Sequence, residues 1–521
     1  MKAKLGHVKS FIQENMVLIL VVIFGVVLCY GKHAITTNIG IDTEQYVLGI
    51  YGKDWVIEQL GRFGHYYSIM LLNLWHYNPY MNGIAFLIIF SLAILAWCYT
   101  FYMISGNTGK WRYLLFSIIF MTSPLWATQF YFSLQQGAIA LLFQAVSFIS
   151  LFDFLLYGKE NSIALNVIEL IISLLLATYA IGTYQSFPGL HLTEAAACLL
   201  LMFDRMTNDE SLQDVHKCFW KKTGIVVVHF LVSYCAYMLI CKVMKWGTSD
   251  YLQVKWGKKP VREIIGNLYR DFKNIVFGKD VYAGYILLVS LILLLILVVK
   301  FFLSKKNIWL KFDYIIMIIG NVICMIALNI VIGGIPADRA RLPVTFTVAF
   351  LGMYSFYMIW KMLPASYLQK MIVLITGIVM VISIGSQLER SQTLFYTDDI
   401  CNMQQYEVGA DIIHEIGLLG GNDQANVIFV GKWVAPLNPS CLRQGPIGAS
   451  SFEWDYQKKK PTNGSRRACL YLCAAFGKQY NVNYDKKTQK AAKKMAKDMP
   501  CYPSEGYIQK IDDTFVIKLS N

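Results

Sequence analysis

The chain has 521 residues, of which 56% are hydrophobic and only 15% charged, with a formal net charge of +14 and a mean hydropathy of +0.45. Soluble domains normally carry about 25% charged residues, so a soluble globular protein is excluded and an α-helical polytopic membrane protein is indicated. The basic residues flank apolar runs and no cluster suited to base readout occurs, so the positive charge points to anionic headgroups or an anionic glycan and not to nucleic acid.

Apolar stretches of roughly 20 residues can cross the hydrocarbon core as helices. They fall near 12–30, 80–104, 112–128, 134–157, 162–181, 185–203, 223–243, 281–303, 312–332, 342–360 and 367–386, which makes about eleven spans. No small-residue cleavage site follows Tyr30, so the first run reads as a span and not as a signal peptide. The segment 64–78 holds His65, Asn73 and His76 and reads as interfacial or re-entrant. Lys and Arg placement puts the N-terminus inside. Lys2, Lys4, Lys9, Lys110, Arg112, Lys217, Lys221, Lys305 and Lys306 then fall on inner connections, and the turns near 129–133 and 182–184 carry none. The segment 244–280 is the exception, an outer loop rich in Lys and Arg.

The first outer loop, 31–64, contains Gly40-Ile41-Asp42-Thr43-Glu44, then Trp55 and Gly61-Arg62. In an extended stretch the two carboxylates would share a face, and a carboxylate at a low-dielectric surface becomes a better general base near neutrality. The plainer reading is a helix N-cap at Asp42 or Thr43. The outer turn Gly182-Thr183-Tyr184-Gln185-Ser186 offers groups able to orient sugar hydroxyls, although Tyr also favours interfaces for its own sake. Within the spans, His191 and Glu194 lie one helical turn apart and Glu169 is also intramembrane; such groups suit either function or structure. In the loop 244–280, the spacing of Ile264, Ile265, Leu268, Phe272 and Val276 predicts an interfacial amphipathic helix over 261–277. The outer loop Gly333–Arg341 presents Arg339 and Arg341, which can grip phosphate with paired hydrogen bonds or simply anchor at the interface.

Beyond about 386 the composition turns polar, which divides the chain into a membrane body, 1–386, and a C-terminal extracytoplasmic domain, 387–521. Helical spacing from Thr397 to Gly417, a strand at Asn426–Gly431 and two strands around Asp512-Asp513 make that domain a small α/β unit. Its basic section 456–497 reads as a solvated face or as a contact for an anionic polymer or lipid. Five of the twelve cysteines, Cys401, Cys441, Cys469, Cys473 and Cys501, lie here; the odd number leaves at least one thiol unpaired, and the spacing makes no zinc site.

Together these residues resemble the Gtr-type bacterial glucosyltransferases, membrane enzymes of the glycosyltransferase C superfamily. The resemblance rests on the first-loop acids with Trp55 and Gly61-Arg62, on Ser123-Pro124 through Phe130-Tyr131-Phe132, on Thr183-Tyr184-Gln185-Ser186, and on Pro336 through Arg339. The family often shows adjacent acids, whereas Thr43 separates them here and leaves open which is the base. The resemblance implies a GT-C-like fold in a bacterial plasma membrane, a polyprenyl-phosphate sugar donor, glucose in the best-known members, and an extracytoplasmic polysaccharide acceptor. It implies Asp42 and Glu44 as catalytic carboxylates, with Asp42 the preferred base and Glu44 orienting the acceptor. Arg62, Arg339, Arg341, Lys258 and Lys259 would then serve the donor phosphate, and Trp55, Tyr184 and Gln185 the sugars. A divalent cation, Mg or Mn, could bridge the two acids, but two acids alone do not establish one. A lipid-linked glycan flippase is the alternative. A membrane acyltransferase would have only His33 and His65 to work with.

Overall fold

Inside hydrocarbon a backbone must satisfy its own hydrogen bonds, so each long apolar run closes into a helix. The computed structural model describes residues 2–50, 52, 54–72, 77–106, 110–131, 135–158, 160–208, 214–247, 254–362, 367–457 and 460–521. The first part of the chain forms α1 (Lys2–Glu14), α2 (Met16–Ala34), α3 (Thr43–Val47), a π-helical turn (Asp54–Gln59), α4 (Phe63–Leu71) and α5 (Pro79–Ile104). Then come α6 (Lys110–Thr122), α7 (Pro124–Phe130), α8 (Gln135–Tyr157), α9 (Ile163–Ile181), α10 (Phe187–Thr207) and α11 (Val215–Val243). The rest of the body is α12 (Val261–Val276), α13 (Ile286–Leu303), α14 (Ile308–Met325), α15 (Ala327–Ile332), α16 (Leu342–Met362) and the start of α17 (Tyr367–Leu418).

Among the described residues, nine helices are long and apolar enough to cross a membrane, or ten if the bent pair α6 and α7 is one span. The expected count of about eleven differs from the upper figure by one helix. The pair bends by 50° at Ser123-Pro124, where Pro124 supplies no backbone N–H to continue the helix. The expected span at 185–203 is α10, which is not among the nine or ten. It packs against α14, α16, α11 and α5 and is buried along nearly its whole length. A helix wrapped by neighbours is not required to be apolar towards lipid, and α10 carries His191, Thr193, Glu194, Asp204 and Arg205. The segment 64–78 gives α4, nine residues long and too short to cross, with Asn73 and His76 outside the described residues. The amphipathic helix expected at 261–277 is α12.

The interior of the body is aromatic. Trp97, Phe101, Phe116, Phe120, Trp126 and Phe346 have no measurable exposure, and the Trp97 and Phe346 rings meet edge to face at 4.8 Å.

No turn interrupts α17, which runs for 52 residues from the membrane body into the C-terminal unit. There Val408, Ile412 and Ile416 pack beneath a four-stranded sheet of β1 (Asn426–Val430), β2 (Asn481–Val482), β3 (Ile508–Ile511) and β4 (Thr514–Lys518). The strand order is β2-β1-β4-β3, with β1 parallel to both its neighbours and β3 antiparallel to β4. Helices α17 and α18 (Pro461–Phe476) cover one face, and α19 (Lys486–Met495) covers the other through Ala492 against Ile428 and Val516. All twelve cysteines are free.

The first loop is stapled to this unit. Asn38 Nδ2 donates to Asp398 at 2.9 Å and to Asp399 at 2.8 Å, Gln405 Nε2 donates to Ile39 O at 3.1 Å, and Lys32 pairs with Asp399. Ile41 N–H donates to Tyr131 Oη at 3.0 Å, which fixes the loop on the end of α7. A second junction brings 61–64 against the turn after α9: Gly64 N–H donates to Gly182 O at 2.9 Å. A methyl on Gly64 would strike the Tyr179 carbonyl and Thr183, and one on Gly182 would strike the Phe63 ring.

Overpacking of this kind costs about 1–3 kcal/mol. Gly64→Ala should therefore lower the thermal unfolding midpoint of the detergent-solubilised protein, whereas Gly224→Ala, where a methyl meets nothing within 4 Å, should not. Equal midpoints for the two variants would count against the close approach.

Candidate functional site

Asp42 occupies the N-cap position of α3, but its side chain caps nothing. Its backbone sits at φ 72°, left-handed for a residue with a Cβ, a costly conformation that persists only where surrounding contacts hold it. What holds it is Arg467 of α18. Arg467 Nη1 donates to Asp42 Oδ1 at 2.9 Å and also to Glu44 Oε1, while Nη2 lies 2.7 Å from Asp455 Oδ2. One guanidinium thus binds three carboxylates from two distant parts of the chain. Gln45 Nε2 reaches Asp42 Oδ1 at 3.3 Å.

The two acids are not equivalent. The Asp42 side chain is 34% exposed and the Glu44 side chain is fully buried. Burial pushes the Glu44 carboxyl up to about 7 against the opposing pull of Arg467, and Asp42 adds to the rise. Burial alone would lower Arg467, but Glu44, Asp42 and Asp455 together raise it well above its ordinary value. Arg467 is therefore a permanent cation here.

Asp42 opens into a cavity of ≈ 450 Å³ between the first loop and the C-terminal unit. Trp55 and Arg62 from the first loop, Tyr184 from the turn after α9, Arg339 from the loop after α15, and Asn463 and Arg466 from α18 also line it. Arg62 Nε donates to Gln185 Oε1 at 2.8 Å, and its guanidinium lies 4.5 Å from the Tyr184 ring centre. The Tyr184 hydroxyl accepts from Arg339 Nε at 3.0 Å. Two arginines thereby meet one tyrosine, Arg62 over its ring and Arg339 at its hydroxyl, and line the same space as Asp42. Gln185 aims Arg62 and is not itself a lining residue.

Other expected residues lie elsewhere. Arg341 is two positions from Arg339, yet its guanidinium pairs with Asp271 at 3.2 Å and Asp338 at 3.4 Å and contacts the Tyr282 hydroxyl. Asp271 also accepts from Asn329 Nδ2, at 2.6 Å. Arg341 ties α12 to the 333–341 loop and is absent from the cavity lining. Lys258 and Lys259 are exposed, and Lys259 pairs with Glu263. His65 contacts the Tyr46 hydroxyl at 3.2 Å; burial, with Arg62 nearby, lowers it to about 3. His33 stacks on Phe395 and meets the Phe130 carbonyl. His191 stacks on His229 inside the bundle, with Glu194 buried one turn on, and Glu169 borders a different, lipid-side groove.

Among the described residues, no group of three or more His, Cys, Asp or Glu is placed to hold a metal ion. The positive charge between Asp42 and Glu44 is supplied by Arg467. Arg467 escaped the sequence reading, where it was one of several lysines and arginines in a basic section. One signal was present: on α18 it falls on the stripe of Gly464, Ala468, Tyr471 and Leu472, whereas Arg466 is exposed.

A family model described as glucosyl transferase GtrII matches residues 34–356, more than half of the chain. The match takes in Asp42, Glu44, Trp55, Arg62, Tyr184, Gln185 and Arg339 and ends before Arg467. No curated protein and no solved structure gives a significant match.

Because folding raises the Glu44 pKa from 4.5 to about 7, the native state holds a proton that the unfolded chain releases over that interval. Its contribution to stability is complete below 4.5 and is lost as the pH rises through about 7. Thermal unfolding at pH 5 and pH 8 should show wild type losing more stability across the interval than Glu44→Gln, which cannot ionise. Parallel pH profiles would refute the assignment.

Proposed function

The chain belongs to the glucosyl transferase GtrII family, and from that premise we propose that it moves a glucosyl group from a polyprenyl-phosphate donor to an extracytoplasmic glycan, at the cavity beside Asp42. It is a multi-pass membrane glycosyltransferase. The observation that carries the finer reading is the convergence of the first loop, the turn after α9, the loop after α15 and α18 on one space holding a carboxylate and two arginines set around a tyrosine.

In this reading the acceptor hydroxyl gives its proton to Asp42 as its oxygen bonds to the anomeric carbon. The bond from that carbon to the donor phosphate oxygen breaks, and polyprenyl phosphate leaves with the electron pair. Arg62 and Arg339 face the growing phosphate charge, where preorganised donors in a water-poor site are worth about 3–4 kcal/mol each. Gln45 and Arg467 both contact Asp42 at Oδ1, which among the described residues leaves Oδ2 for the proton. Glu44 is too deeply buried to touch an acceptor and acts by holding Arg467, which in turn fixes Asp42. Trp55, 47% exposed, offers a flat apolar face for a sugar ring. A divalent cation bridging Asp42 and Glu44 would first have to displace Arg467 from both.

The basic inner connections support an inside N-terminus; with α6 and α7 as one bent span and the buried α10 also crossing, the spans number eleven, and that odd count sets the cavity and the C-terminal unit on the opposite, extracytoplasmic side. A donor lipid resting in the bilayer would present its phosphate at that level, between the membrane body and α18.

With labelled polyprenyl-phosphate glucose and a glycan acceptor, Asp42→Asn should lower kcat by about 10²–10⁴-fold. Arg62→Lys and Arg339→Lys should each lower it by about 10²–10³-fold, since a lysine cannot reproduce the two-pronged grip. Unchanged turnover in Asp42→Asn would remove Asp42 as the base. Passage of the intact donor lipid across vesicles without bond cleavage would favour a flippase instead.

A further inference from the structure

The C-terminal unit contains a second cavity, of ≈ 460 Å³, that plays no part in the chemistry above. It lies at the carboxyl ends of β1 and β4, where Val430 and Gly431 meet Lys518 and Ser520. In the order β2-β1-β4-β3 the chain leaves β1 for a neighbour on one side and returns beside it on the other. Connections that depart in opposite directions leave a crevice at that edge of an open parallel sheet, and such crevices are where these sheets bind ligands.

The lining has a definite chemistry. Ile428 and Ala496 make an apolar floor, Tyr456 adds a ring, and Lys493 near the end of α19 and Lys497 in the turn after it bring two exposed ammonium groups. Lys518 is buried and donates to Met499 O at 2.7 Å, so its charge is fixed at the rim. Among the described residues, no acidic side chain lines the cavity. The crevice also borders the reaction cavity: Asp455 and Asn463 line the first, while Tyr456 and Pro461 line the second.

We propose that this crevice binds an anionic stretch of the acceptor glycan, with sugar faces on the apolar floor and Tyr456 and the phosphate or carboxylate groups on Lys493 and Lys497. The proposal rests on the acceptor assigned under the proposed function. A polymer lying across the wall formed by 455–463 would place one unit at Asp42 and hold a neighbouring, charged portion here. The lysines would then favour long anionic acceptors over short or neutral ones, without touching the reacting atoms.

The test uses the full chain in detergent, without donor, titrated with a poly(glycerol phosphate) oligomer and with a neutral dextran oligomer. Lys493→Ala/Lys497→Ala should weaken the anionic oligomer by about tenfold. Lys490→Ala/Lys494→Ala, the same charge change at the same spacing one turn earlier on α19, should leave it within about twofold. Equal weakening by both pairs, equal affinity for the neutral oligomer, or no binding by wild type would each overturn the proposal. Glucosyl transfer to a single-unit acceptor is measured separately and should be unchanged in the Lys493/Lys497 variant. If wild type transfers nothing, the proposed function fails while the titration stands. If it transfers but the titration is flat, this inference alone fails.

Discussion

One guanidinium joins the two halves of the molecule. Arg467 reaches from α18 to Asp42 and Glu44, more than 400 positions earlier in the chain, and it is only about a tenth exposed. Deleting one member of such a group strands the others as unpaired charges, a loss of about 3–5 kcal/mol in comparable buried pairs. The strained Asp42 backbone, the seat of α3 against α18 and the mouth of the cavity all depend on this contact. The interaction also divides the labour between the acids. Glu44 lies behind Arg467 and steadies it, while Asp42 lies in front and meets the solvent.

This dependence explains which parts of the site could be read from the chain. Asp42, Trp55, Arg62, Tyr184 and Arg339 all lie in short connections between apolar runs, where a charged or aromatic residue stands out, and all line the cavity. Arg341 looked equivalent to Arg339 because they are two residues apart. Arg339 sits in the 3-10 turn Asp338–Ala340 and Arg341 just past it, and the partner that claims Arg341, Asp271, lies on the buried face of the amphipathic α12. Local pattern does not report a pairing across 70 positions. Arg467 was harder still, since its partners lie at the other end of the chain.

The fold was legible for the same reason in reverse. Apolar length and the punctuation of Gly, Pro and Asp are local properties, so the membrane helices, the amphipathic α12, strand β1 and the hairpin across Asp512-Asp513 fall where expected. The one helix of difference in the span count is α10. Helix α10 packs against other helices along nearly its whole length, and its polar residues are tolerated there.

Helix α17 adds a mechanical consequence. At 1.5 Å per residue its 52 residues make a rod about 78 Å long, of which a bilayer core occupies about 30 Å. The remainder is a lever whose far end is packed into the sheet that carries α18. A rod without a joint cannot let the upper unit swing freely; it can only tilt as a whole. A change in bilayer thickness is met by helix tilt, and a tilt of so long a rod at the membrane would be carried into the unit at its far end. The height and angle at which the sheet and α18 are held are thus set by this one continuous helix and by its packing on α6, α7, α13 and α16.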